Sequence, residues 1–136
     1  MIPIFRIFDL NLTRIAIAMC ALLCAGCSGG RTITLDEDIA RQSLTKALDA
    51  WKSGGKAEDL QHQAPAIAVN DVDWSHGRKL VGFQVNGNGT SDGRSLHVPV
   101  TLTMQPSQRG AAAIIKATYA VGVDPAIVVV RETEGD

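Results

Sequence analysis

Ser75-His76, with Asp71 and Asp73 just before it, is the densest group of chemistry-bearing side chains in the chain. Hydroxyl, imidazole and carboxylate are the parts of a nucleophile, its base and the group that orients the base. Triads are assembled by folding and not by adjacency, so this cluster alone defines no catalytic set. His62, His76 and His97 have no cysteine partners and no short His-to-His spacing, so a structural zinc site lacks its usual ligands. The stretch from Asn86 to Gly93 is rich in glycine, but no lysine follows its glycines and no helix opens behind it. It reads as a hairpin loop and not as a phosphate cradle. Trp74 in a polar turn beside Asp73 and His76, together with Tyr119, whose hydroxyl needs a partner if buried, are the candidates for a contact site; the alternative for Trp74 is a ring that closes the end of the core. No catalytic, cofactor-binding or metal-ligating residue is assigned, and no cofactor is expected.

A different chemistry is written at Cys27. The run from Ile15 to Leu23 carries no charge and follows Arg6 and Arg14, the pattern of a positive segment before a short apolar one in a secretory signal. A run of this length is about half of the roughly 20 residues that span a bilayer. Ala25 and Gly26 leave little bulk next to a scissile bond before Cys27, and Ser28-Gly29-Gly30 follows as a flexible tether. Leu22-Leu23-Cys24-Ala25-Gly26-Cys27 resembles the lipobox of bacterial lipoproteins, apart from Cys24, where leucine is usual. The resemblance implies a diacylglycerol on the Cys27 thiol and removal of residues 1–26. It places the mature protein in the bacterial cell envelope, held to the bilayer by lipid and facing the periplasm or the exterior.

All three cysteines lie at or before Cys27, so the mature part would keep one, and no intramolecular disulfide is possible. Removing Arg6, Arg14 and Asp9 from the 13 basic and 14 acidic residues leaves 11 against 13, a net charge of −2. A near-neutral surface offers no field for nucleic acid and no polybasic membrane patch. The remaining chain is long enough for one domain with its own core. Four aromatic residues remain, Trp51, Trp74, Phe83 and Tyr119, too few for a stacking platform.

The elements that must position these residues follow from periodicity. Thr34-Leu35-Asp36-Glu37 has the form of a capping box, and Ala40, Leu44, Ala47, Leu48 and Trp51 lie on one stripe at 3.6 residues per turn. This predicts an amphipathic helix ended by Gly54-Gly55, with a further helical turn over Lys56 to His62. From Pro65 the period changes to two. Strands are predicted over Ala66 to Asn70, over Lys79 to Val85 with Val81, Phe83 and Val85 on one face, and over Leu96 to Gln105. In the last of these, Leu96, Val98, Val100, Leu102 and Met104 alternate with polar residues, and Pro99 calls for an edge or a bulge. Pro106 to Gly110 reads as a turn, Ile114 to Val121 as a strand, Asp124-Pro125 as a turn, and Ile127 to Val130, apolar on both faces, as a central strand.

The expected fold is α+β: one N-terminal amphipathic helix packed on a curved antiparallel sheet of four to five strands. Residues 27–33 form the lipidated cysteine and tether, 34–132 the domain and 133–136 a charged tail. The element order resembles the cystatin-like and nuclear transport factor 2-like folds. The helix followed by Gly-Gly-Lys, the Trp74 turn and the ending from Tyr119 to Glu132 also resemble small planctomycete-type lipoproteins, a likeness that implies no chemistry. The function expected is a non-enzymatic binding or interaction module, partnered by the bilayer and an envelope protein. The alternative, implied by the nuclear transport factor 2-like resemblance, is acid-base chemistry on a small molecule in a cavity between helix and sheet. That alternative needs an acid or base on the inner face, where Tyr119 is the one polar residue expected.

Overall fold

A computed structural model describes residues 34–106 and 112–133, which lie within one compact unit. The leader, the Cys27 attachment, the tether, the turn over residues 107–110 and the last three residues of the tail fall outside the described residues.

Helix α1 spans Glu37–Lys52, and its stripe of Ala40, Leu44, Ala47, Leu48 and Trp51 is buried. The cap is Asp36 and not Thr34: its side chain accepts from the Asp38 and Ile39 amides, both at 3.1 Å. A carboxylate next to the first turn satisfies two orphan amides and meets the positive end of the helix dipole, which the more distant Thr34 hydroxyl does not. At the other end, the Gly54 amide donates to the Trp51 carbonyl and the Gly55 amide to the Ala50 carbonyl. These are the paired bonds of a Schellman motif, and Gly54 takes the left-handed φ of +85° that it requires. A 3-10 turn over Ala57–His62 follows and buries Leu60.

The strands are β1 (Ile67–Asn70), β2 (Leu80–Val85), β3 (Thr90–Ser91), β4 (Ser95–Met104), β5 (Ala113–Gly122) and β6 (Ile127–Glu132). They form one curled mixed sheet in the order β1-β6-β5-β4-β2, with β3 paired to β4. The expectation of an all-antiparallel sheet is corrected here, because β1 and β6 run parallel, Ile67 opposite Ile127. Short turns dictate antiparallel pairing only between consecutive strands, and β1 and β6 are the two ends of the sheet-forming chain.

Three further expectations are revised by pairing. A register shift between Leu80 and Gly82 buries Leu80 and leaves Val81 53% exposed, so Val81 does not share a face with Phe83 and Val85. The loop from Asn86 contains a strand of its own, β3. Within it, Gly89 has φ +83°, and a Cβ there would sit 2.8 Å from the His97 carbonyl oxygen, so no other residue fits without a shift. Pro99 lies inside β4, not on an outer strand. Its missing donor falls at the break between the β2 pairing, which stops at Val85 opposite Val100, and the β3 pairing, which starts at Thr90 opposite His97. Its carbonyl accepts from the Asn86 amide at 2.8 Å, so no ladder bond is lost.

Alternate residues of β4 and β5 face α1. Leu96, Val98, Val100, Leu102 and Met104 are at most 1% exposed, and Ala117, Tyr119, Val121 and Val129 complete the inner layer. β6 lies inside the sheet between β1 and β5, as its two apolar faces require.

Candidate functional site

Two strands end their inner faces on polar residues at one place, beside a tyrosine of a third. Ile67 and Val69 point inward on β1, so the next inward position is Asp71; Val129 points inward on β6, so the next is Arg131. Arg131 stands opposite Tyr119 of β5 in register. Between β1 and β2, Val72–Ser75 forms a single helical turn, α2, which brings Asp73 to the same place.

Asp71 is 4% exposed and is the hub. Its Oδ1 accepts from the Asp73 amide at 2.9 Å and the Trp74 amide at 3.1 Å, capping α2. Its Oδ2 accepts from the Tyr119 hydroxyl at 2.5 Å. Arg131 Nη1 lies 3.6 Å from Asp71 and donates to Asp73, whose other oxygen accepts from Arg78 at 3.0 Å. Burial, and after it the hydrogen bond to Asp71, pushes the Tyr119 phenol well above its ordinary range, so it stays protonated and donates at neutral pH. Burial works against the charge of Asp73, but the hydrogen bonds from Arg131 and Arg78 outweigh it and hold its carboxyl below the usual range. The same balance, burial opposed by Asp73 and Asp71, holds the Arg131 guanidinium above its ordinary value.

Trp51 and Trp74 stack beside this network, ring centres 5.4 Å apart and planes within 8°. Trp51 donates to the Arg78 carbonyl at 2.8 Å and Trp74 to the Gly55 carbonyl at 3.1 Å. The pair thereby joins the end of α1 to α2.

A second cluster lies on the outer face of the sheet. His97 of β4 places Nε2 2.9 Å from Asp92 and Nδ1 2.6 Å from Glu132 at the end of β6. His97 stands opposite Ala120 of β5 and Glu132 opposite Thr118, so the bridge crosses β5 diagonally. Asp92 also accepts from the Arg94 and Ser95 amides, fixing the turn into β4. Hydrogen bonding to Asp92, opposed by burial and aided by Glu132, raises the His97 pKa, and His97 in turn depresses that of Asp92. A histidine whose folded pKa is raised contributes stability that is fully present below its unfolded value, about 6.5. That contribution is lost as pH rises through the folded pKa. The stability advantage of the native chain over His97→Gln is therefore expected to be largest near about pH 5.5 and to shrink toward pH 9. Urea midpoints of the two chains across that range check it. An advantage that grows with pH contradicts the double bridge.

The structure separates the residues singled out in the sequence. Trp74, 9% exposed, and Tyr119, 1% exposed, are buried, while His76 is on the surface, so the three share no contact surface. Ser75 Oγ donates to the Val72 carbonyl at 2.8 Å, and Asp71 and Asp73 are engaged by backbone, tyrosine and arginine. No nucleophile and base therefore meet among them. His62 is likewise exposed, and among the described residues no three of His, Cys, Asp or Glu are grouped so as to hold a metal ion. Among those residues too, no helix is long and apolar enough to cross a membrane. Reading the two-residue alternation one step past the last apolar residue of β1 and of β6 would have found Asp71 and Arg131. Nothing local marks the His97 bridge, which joins positions 35 apart.

No family model matches the chain, and neither a curated protein nor a solved structure matches it.

Proposed function

We propose that the protein is a lipid-anchored component of a bacterial envelope that works as a non-enzymatic binding or interaction module. In this reading α1 is the first element of the mature domain, and Ser28 to Ile33 is the tether between it and the acylated Cys27. The anchor rests on Ala25-Gly26-Cys27 behind a short uncharged run. The observation that carries the module reading is the state of the inner face. Its apolar side chains are packed against α1, and its polar ones, Asp71, Tyr119 and Arg131, are spent on one another and on Asp73. An acid-base enzyme needs a titratable group facing bound substrate; the Tyr119 hydroxyl faces a carboxylate instead. What the domain offers a partner is its outside.

The anchor is tested by Cys27→Ser with radiolabelled palmitate. Labelling and membrane fractionation are expected in the native chain and lost in the variant. Continued labelling of the variant, or an unchanged membrane fraction, removes the lipoprotein reading.

A further inference from the structure

We propose that the edge of β5 from Ala113 to Ala117, unpaired among the described residues, docks an extended segment of a partner protein in which apolar and acidic residues alternate. This rests on the interaction-module reading and gives it a place and a partner chemistry. β4 pairs with β5 along its whole length, whereas β6 pairs only with Thr118 to Gly122. Among the described residues, the first half of β5 thus has a strand on one side only. Backbone groups of alternate residues face the open side, a template for another strand. At this step in the sheet lies an open depression of about 440 Å³, lined by Val72, Lys116, Ala117 and Arg131 among others.

The side chains around the step define what fits. Arg131 is engaged by Asp73 and Asp71, and Glu132 by His97, which it shares with Asp92. Lys116 is exposed and enters no ion pair with a described residue, so its ammonium is the cation on the outer face that an added strand would meet. Ile114, 71% exposed, lies beside it on the outer face. On the inner side, Val72 is 48% exposed next to Ala117. An added strand would set apolar side chains inward on Val72 and Ala117 and carboxylates outward by Lys116, an alternation of period two. The outer edges are less suited: the 3-10 turn packs on β1, and the bulge between Leu80 and Gly82 interrupts the ladder that β2 offers.

The test uses the full chain, isotope-labelled and held in detergent micelles, with two short peptides as probes, one alternating Val and Glu and one alternating Val and Lys. The Val-Glu peptide is expected to shift the amide signals of Ala113 to Ala117 and slow their hydrogen exchange. Lys116→Glu, a surface change that leaves the fold intact, is expected to weaken that binding by about tenfold or more and to favour the Val-Lys peptide. Binding at β2, equal affinity for the two peptides, or no binding overturns the proposal. So does protection of Ala113 to Ala117 before any peptide is added, which would mean that the chain's own tail or a second copy occupies the edge. If the peptides fail while the intact protein still crosslinks to an envelope partner through another surface, this site falls and the module reading stands.

Discussion

Asp71→Ala is expected to destabilise the domain by about 3–5 kcal/mol, the range for removing one partner from a buried, hydrogen-bonded charge cluster. Three losses coincide. The Asp73 and Trp74 amides lose their cap, the Tyr119 hydroxyl is left buried without an acceptor, and Arg131 keeps only Asp73 against its positive charge. Tyr119→Phe removes a single hydrogen bond to a charged group and should cost about 1.5–3 kcal/mol. The order of the two is the sharper part of the expectation. Chemical denaturation of both variants decides it: a loss at Asp71 smaller than that at Tyr119 would show that the carboxylate is not the hub.

Trp51→Ala should cost about 3–5 kcal/mol, the usual range for deleting a buried aromatic ring. The ring is 3% exposed, stacks on Trp74 and donates to the Arg78 carbonyl. Its removal opens a cavity at the end of α1 and frees a carbonyl on the segment leading into β2. Equilibrium unfolding measures the loss, and a change under about 1 kcal/mol would take Trp51 out of the core.

Helix α1 was legible because its apolar stripe, its glycine stop and its acidic first turn all signal the same element. The alternation in β4 was legible for the same kind of reason: ten residues of period two admit one register against a core. Pairing partners were not. The parallel contact of β1 with β6 joins residues about sixty apart, and no local pattern encodes which strand a buried edge will choose. Pro99 illustrates the limit, since a proline inside a long strand signals a missing donor but not that two neighbouring strands stop on either side of it. The site was half legible. Asp71, Asp73 and Tyr119 drew notice by type, and of the two readings the sequence left open for Trp74, a contact site or a ring closing the end of the core, folding takes the second. Buried tryptophans need their ring nitrogens satisfied, and here backbone carbonyls at Arg78 and Gly55 do so, which no spacing announces.

The protein is proposed to act from the membrane through its outer surface. In-cell photocrosslinking tests it most directly, with a photoreactive amino acid placed in turn at Ile114, His76 and Val81 of the full chain. A discrete adduct with an envelope protein is expected from Ile114, absent from Val81 and lost when Cys27→Ser is combined with it. A chain that is labelled by palmitate yet gives no adduct from any of these surface positions would contradict it.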